Sequence, residues 1–441
     1  MCPVWLLAVC LVVSLAAFAA PAAADSCPDL QAYYPDEQTN WFILERELAR
    51  LMPLCLNSAE FFGLYGAAQL NSGQVSAAVE SLERALMTDP DYGAAQIDYA
   101  QALFMQGQLF SAMDMNRHIL QRQDLPGELE SMLISRQQQW QRMTRRTDAE
   151  LDIMFGHDSN LNRGPLTNQI TLSLFGEPVE LELSPEFLPV AGVYTNLRGA
   201  VSHTRFQPAH SHNWLAEANG RISEDSGSDI SQFSGRYVWV RPQRNHSWQV
   251  GGAMAHLMVG GHPLFSAAET NVRYQVESDQ RCAPYYDLAA QFQHYHGGNG
   301  NLNNVETRHA GGLQCRQQDT GSSVSAELGL LNSLAIEADR PGGDRVGWQA
   351  RFNWQRPLGN GASLGAQAAH TRLHDRETYS ELLANGARRD LTRSFVQLQY
   401  RRRSVLGGTL MINLYHQRQR SNIALFSSND TAAELGLRFN F

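Results

Sequence analysis

No lysine occurs in the 441 residues; all 35 basic residues are arginine, set against 44 acidic ones for a formal net charge of −9. The arginines are spread thinly and form no dense basic stripe of the kind that holds a polyanion, so no nucleic-acid partner is expected. The missing lysine points first to codon bias. Long apolar runs are missing too. Beyond residue 24 none approaches the roughly 20 residues that a membrane-crossing helix needs, which excludes a polytopic helical membrane protein. A transmembrane β-barrel is not excluded, because only alternate residues of its strands have to be apolar. A mean hydropathy of −0.34 suits such a barrel as well as a soluble chain.

Cysteine is scarce. Of the six, Cys2 and Cys10 fall in residues 1–24, where an apolar run from Trp5 to Ala20 precedes Pro21-Ala22-Ala23-Ala24. This reads as the hydrophobic region and small-residue cleavage site of a secretory leader, with no basic side chain before it, and Asp25 is expected to begin the mature protein. Asp25-Ser26 before Cys27 replace the small apolar residues of a lipidation site, so a lipoprotein is not expected. The remaining four cysteines enter an oxidising compartment. Three pairings are open. Cys27–Cys55, flanking the first predicted helix, and Cys282–Cys315, at one end of adjacent predicted strands, are favoured over free thiols.

Residues 25–146 read as a helical domain with a 34-residue self-similarity: Tyr65, Ala68, Gly73-Gln74 and Ala78 recur as Tyr99, Ala102, Gly107-Gln108 and Ala112. That is the tetratricopeptide period. Phe62, Gly66, Leu82, Ala85 and Pro90 complete the first repeat, whereas the second has Asn116 at a normally apolar position and Asp124 in place of the proline. Helices from Trp41 to Met52 and from Glu128 to Arg146 are expected to cap the pair, since such repeats need neighbours to bury their faces. The domain is either a groove for a peptide or protein or a structural plug.

From Glu150 onward, period-2 alternation replaces helical periodicity. Val346, Trp348, Ala350, Phe352 and Trp354 alternate with Gln349, Arg351, Asn353 and Gln355; Ala433, Leu435, Leu437, Phe439 and Phe441 alternate with Glu434, Arg438 and Asn440. About fourteen strands are predicted, near 149–156, 192–205, 213–223, 229–241, 246–257, 268–278, 284–295, 305–316, 321–332, 345–356, 361–373, 391–403, 406–418 and 431–441. Short links (242–245, 317–320, 357–360) alternate with long ones (157–191, 296–304, 333–344, 374–390, 419–430), which is the rule of outer-membrane barrels. The fold expected is therefore α+β with two domains: a leader at 1–24, a tetratricopeptide-like helical domain at 25–146, and an antiparallel barrel of about 14 strands at 147–441. An even strand count leaves both ends in the periplasm. Trp214, Trp239, Trp248, Tyr285, Trp354 and Phe441 are expected in the aromatic girdles, and the final strand is what the outer-membrane assembly machinery would recognise.

Little points to chemistry. Asp158-Ser159-Asn160-Leu161-Asn162 has the opening spacing of a calcium loop, but Arg163 and Gln169 stand where glycine and a bidentate glutamate belong. A turn stabilised by Asn and Asp side chains is the simpler reading. His210-x-His212 and His294-x-His296 offer two ligands each, too few for a metal, and read as rim histidines. No nucleophile and base share a readable spacing, so neither an enzyme nor a cofactor is expected. Arg198, Arg236, Arg308, Arg351 and Arg393 fall on lumen-facing rows; they either make the interior cationic or pair with luminal carboxylates to brace the wall.

Leader, short repeat domain and barrel together resemble the surface lipoprotein assembly modulator (Slam) family, the type eleven secretion outer-membrane component. The local match is Gly156-His157-Asp158-Ser159-Asn160-Leu161-Asn162-Arg163-Gly164-Pro165, similar to a Gly-x-Asp-Asn-x-Asn-x-Ala-Pro-like stretch and departing from it at Ser159 and Gly164. Gly156, Asp158, Asn160, Asn162 and Pro165 carry the likeness. The resemblance implies an outer-membrane translocon that displays or secretes particular cargo proteins, with the helical domain in the periplasm meeting cargo or chaperones. The alternatives are an exopolysaccharide exporter, which also joins helical repeats to a barrel, and a diffusion porin, which needs no helical domain.

Overall fold

The computed structural model describes residues 27–441 apart from 176, 278–280, 318 and 405–406. The leader predicted at 1–24 lies outside the described residues. The chain divides between Gln141 and Arg142 into two compact units.

The first unit is helical: α1 (Trp41–Leu51), α2 (Ala59–Asn71), α3 (Val75–Thr88), α4 (Gly93–Met105), α5 (Leu109–Ile119) and α6 (Gly127–Met143). Asn40 and Ser58 cap α1 and α2 by accepting from the Ile43 and Phe61 amides. The repeat appears as two equivalent turns. Gly73 and Gly107 take φ of 81° and 86°, and Gln74 and Gln108 donate back to the Gln69 and Leu103 carbonyls at 2.9 and 2.8 Å. A side chain at either glycine would strain this left-handed turn. Phe61, Leu48, Leu82, Ile119 and Leu133 are fully buried. Asn116, the polar exception of the second repeat, is also fully buried. Its amide donates to the Leu133 carbonyl (3.0 Å) and Gln137 Oε1 (2.9 Å), and its carbonyl accepts from Arg136 Nε (2.8 Å). A buried polar group with every partner present replaces the usual hydrophobe and ties α5 to α6. Cys27 and Cys55 form a disulfide that closes the segment before α2.

Helix α6 stops at Met143, three residues before the end expected from sequence. The Thr144 carbonyl instead accepts from Phe206, and Arg145 and Arg146 already pair with Arg205 and Thr204 in a β-ladder. Pairing with a neighbouring strand overrides helical propensity there.

Burial among its neighbours raises the Asp98 carboxyl to about 6, against the opposing pull of the Arg136 guanidinium. The folded state therefore holds this proton more tightly than the unfolded chain. Its contribution is fully present below the ordinary Asp range and is lost as pH rises through 6. Helical-unit stability, followed by ellipticity at 222 nm on thermal melting, is expected to fall between pH 4 and 6.5. Asp98→Asn should flatten that slope and stabilise the unit at pH 7 by about 2–3 kcal/mol.

The second unit is a closed barrel. Its strands are β1 (Arg145–Asp158), β4 (Gly192–Phe206), β5 (Ser211–Ser223), β6 (Ile230–Pro242), β7 (His246–Val259), β8 (His262–Val276) and β9 (Cys282–Tyr295). They continue as β10 (Asn304–Arg316), β11 (Ser323–Ala335), β12 (Arg345–Leu358), β13 (Ala362–Thr378), β14 (Arg388–Arg403), β15 (Thr409–Ser421) and β16 (Ser428–Asn440). Each strand pairs antiparallel with its neighbours, and β1 pairs with β16 to close the ring of 14. The segment read from sequence as a plain loop, 157–191, contains a separate hairpin of β2 (Gln169–Leu174) and β3 (Glu177–Glu182). Both strands are too short and too polar to stand out by alternation.

Strand parity separates the two faces. Met254, Leu328, Leu330, Leu398, Leu414 and Leu435 are large apolar side chains that remain exposed, and each lies in the apolar row of its strand. Tyr194 on β4 reaches Tyr415 on β15 and donates to Glu434 Oε1 on β16 at 2.9 Å, bridging strands that are not neighbours. Only the concave side permits such a span, so the polar row faces a lumen. Gly156 on β1 lies beneath that tyrosine: a Cβ there would sit 2.7 Å from the ring carbon Cζ. An exposed apolar exterior around a closed ring of strands is the arrangement of an outer-membrane barrel.

Trp214, Trp239 and Trp248 lie on outward rows at the end where the chain enters the barrel from α6, here the near end; the opposite end is the far end. Tyr285 departs from expectation. It turns into the lumen, where its hydroxyl donates to Glu327 Oε2 at 3.1 Å and Arg273 stacks over its ring. Its neighbour Tyr286 takes the outward place, as parity with Cys282 requires.

Candidate functional site: a braced lumen and a tied far-end loop

The five luminal arginines have different surroundings. Arg198 on β4 contacts three carboxylates: Glu150 at 3.1 Å, Asp152 at 3.2 Å and Glu217 at 2.8 Å. Arg438 on β16 grips the same Asp152 through two nitrogens at 2.7 Å each, so one network crosses the β1–β16 closure. Arg308 on β10 belongs to a second network, with Asp287 at 2.6 Å and Glu327 at 3.0 Å. Arg273 on β8 joins it at Asp287 (3.2 Å) and Arg351 on β12 at Glu327 (3.7 Å), linking five consecutive strands. Arg393 has a neutral partner, Gln419 Oε1 at 2.7 Å. Arg236 lines a luminal recess of ≈380 Å³ with Glu217, Gln232, Glu269 and Gln291. A simple cationic interior is therefore not what the arginines make. Three of the five are matched by carboxylates, and the paired charges cross-link strand to strand like rungs.

A further recess, between β10 and β14, is lined by neutral polar groups, among them Gln355, Gln367, Gln397 and Gln399, with Arg401 at its edge. Toward the far end, Asp375 on β13 draws in Arg345 (3.1 Å) and Arg389 (3.2 Å). Arg389 is buried against the rings of Tyr379 and Phe426, which touch edge to face and come from two different far-end loops.

The stretch from Gly156 to Pro165 ties down the long loop after β1. Asp158 is buried and pairs with Arg221 of β5 at 3.1 Å; a second nitrogen of Arg221 donates to the Leu161 carbonyl at 2.6 Å. Asn160 acts as a surrogate backbone. Its amide donates to the carbonyls of Gly164 and Asn429 (3.0 Å each), and its carbonyl accepts from the Gly164 amide (2.8 Å). Asn162 spans the other side of the loop, donating to the Leu188 carbonyl (2.8 Å) and accepting from the Val190 amide (3.1 Å). Leu161 is buried between them. Past Pro165, the Leu166 amide, just before the hairpin, donates to the Ser427 carbonyl, and the Ser173 amide of β2 donates to the Leu382 carbonyl, so the long loop is sewn to two neighbouring far-end loops. The Asp158, Asn160 and Asn162 side chains are consumed by the protein's own backbone and by Arg221, so they hold a turn.

The histidine pairs serve the outer wall. His210 and His212 pack with Trp214, Tyr237 and Trp239, and His212 bonds the Tyr237 hydroxyl at 2.7 Å. His256 and His296 share the Ser266 hydroxyl at 2.9 Å each. Elsewhere outward imidazoles find cross-strand hydroxyls in the same way: His203 with Thr147, His370 with Ser394 and His416 with Thr431. A ring nitrogen facing lipid needs such a partner. No cluster of three metal-ligating side chains is found among the described residues. Cys282 and Cys315 stand directly opposite one another at the near end of β9 and β10 and are joined.

The tetratricopeptide repeat family matches residues 69–127. No curated protein matches the chain. The anion-selective porin from Comamonas acidovorans is similar over 67% of this chain and 99% of its own, at 10% identity and a TM-score of 0.38. A bacterial polysaccharide outer membrane secretin is similar over 66% of this chain and 98% of its own, at 11% identity and a TM-score of 0.35. The type III secretion translocator chaperone SycD of Yersinia enterocolitica is similar over 23% of this chain and 71% of its own, at 18% identity and a TM-score of 0.22.

Proposed function

We propose that this chain is an outer-membrane translocon of the Slam type that passes specific cargo proteins to the cell surface. In this reading the helical unit stands in the periplasm and engages cargo or a chaperone, and the far-end loops face outside. The observation that carries it is the joining of a tetratricopeptide-repeat unit to a closed barrel with a hydrophilic lumen, since a diffusion pore has no use for a repeat unit. The lumen supports it further. Its arginines are largely matched by carboxylates, so a polypeptide of mixed charge would meet no wall of a single sign. No nucleotide is available in the periplasm, and folding of cargo outside would supply the directional drive.

A second reading, export of a polysaccharide, is favoured by one feature: the neutral glutamine-lined recess between β10 and β14, whose amides suit sugar hydroxyls. Deleting the gene separates the two. Under the first reading a particular protein loses protease accessibility on intact cells while surface glycan is unchanged. Unchanged protease accessibility of every surface protein would defeat it, and loss of surface glycan alone would establish the second.

A further inference from the structure

Outward-facing arginines in the barrel ladders fall into two sets. Arg145, Arg205, Arg241, Arg356 and Arg402 lie at the near end of their strands. Four others, Arg372, Arg388, Arg418 and Arg420, lie toward the far end and are confined to β13, β14 and β15; of these, Arg372, Arg418 and Arg420 form a close group. Arg372 is opposite Thr392 of β14, which is opposite Arg420 of β15; Arg418 is opposite Ser394 and Asn429. The two flanking arginines are thus two strand spacings apart, about 10 Å, with the third about 7 Å further along β15. All three are exposed, and none has an ion-pair or hydrogen-bond partner among the described residues. The nearby carboxylate on the same face, Asp390, is engaged by His374.

Their outward position follows from the row they share. Along β15 the outward residues run Leu410, Ile412, Leu414, His416, Arg418, Arg420, passing from apolar side chains to basic ones toward the far end. On β14 the exposed Val396 and Leu398 lie below Thr392 in the same way. Unpaired guanidinium groups directly above an apolar band stand at headgroup level, where each fits a phosphate through two parallel hydrogen bonds.

We propose that Arg372, Arg418 and Arg420 form a clamp for a phosphorylated glycolipid of the outer leaflet, the headgroup of lipid A. The assignment to the outer leaflet rests on the orientation proposed above. The clamp fixes β13–β15, the sector that also carries Arg389 and the loops it holds, against the surrounding lipid.

The full chain, purified in detergent, is titrated with bisphosphorylated lipid A, with dephosphorylated lipid A and with phosphatidylglycerol, and occupancy is read by native mass spectrometry. The triple variant Arg372→Gln/Arg418→Gln/Arg420→Gln should bind bisphosphorylated lipid A on the order of a hundredfold more weakly than the parent, at several-fold per arginine. The near-end variant Arg205→Gln/Arg241→Gln/Arg356→Gln should bind it as the parent does, and both should keep the heat-modifiable migration of a folded barrel. Equal lipid A binding by the far-end triple variant, equal binding of dephosphorylated lipid A by the parent, or an equal loss of phosphatidylglycerol overturns the clamp. Orientation is read separately: Glu186→Cys on intact cells should react with a membrane-impermeant maleimide. Failure there would remove the outer-leaflet assignment while the titration still decides whether the clamp exists.

Discussion

Asn160→Ala should release the far-end loop while the barrel stays closed. Alanine deletes the amide that bonds Gly164 and Asn429 and the carbonyl that receives the Gly164 amide, all in a buried position. Each orphaned backbone group costs about 1–3 kcal/mol. A loss near 3 kcal/mol raises the open population of the loop on the order of a hundredfold. Limited proteolysis should therefore cut within 166–190 far faster than in the parent, and heat-modifiable migration should be unchanged because no ladder bond of β1 is touched. Unaltered cleavage would mean that the loop is held by its contacts to Ser427 and Leu382 alone.

The second large effect is expected from Asp287→Asn. Asp287 is the most buried member of the five-strand network and, among the described residues, the only carboxylate shared by Arg273 and Arg308. Removing one partner of a buried ionic pair costs about 3–5 kcal/mol, because it leaves charge without compensation. Arg308 keeps Glu327 and Arg273 keeps the face of Tyr285, so the lower end of that range applies. The same change adds one positive charge to the lumen. Two measurements should then move together: the urea midpoint of the barrel falls, and the reversal potential in a salt gradient shifts toward anions. A shift in selectivity with no loss of stability would show that the network tunes the lumen without bracing it.

Much of the architecture was legible because a barrel writes its geometry along the chain. Period-2 alternation and the spacing of turns identify all fourteen barrel strands, from the segment near 149–156 to the one near 431–441; the widest miss is at β8, which begins at His262 and not at 268. The 34-residue repeat surfaced as the paired turns at Gly73 and Gly107, where only the backbone conformation demands glycine. What stayed hidden was what depends on neighbours. Residue type and a position near a strand end point Tyr285 to the girdle, but parity sends it inward, and a one-residue difference reverses the face. The hairpin β2–β3 is stabilised by bonds of Ser173 with Leu382 and with Asn385, the latter 212 residues away, and no local pattern announces that. The luminal arginines were visible as a row. Their partners were not, because pairing across strands is set by register: Arg198 meets Glu217 because the two lie two residues off opposition on adjacent strands, a diagonal that keeps both on the luminal face. The Asp158–Pro165 stretch could be singled out from its asparagines, yet only the fold shows them spent on the protein's own loop.

A translocon requires that a polypeptide travel through the lumen. The direct measurement places a photo-crosslinking amino acid at Ser234 and at Gln397, which line the two luminal recesses, and at Phe233 and Leu398, their outward-facing neighbours. Irradiation of living cells should join the luminal positions, and not the outward ones, to a protein that loses surface exposure when the gene is deleted. If that protein reaches the surface normally while neither luminal position ever captures it, the barrel is not its route.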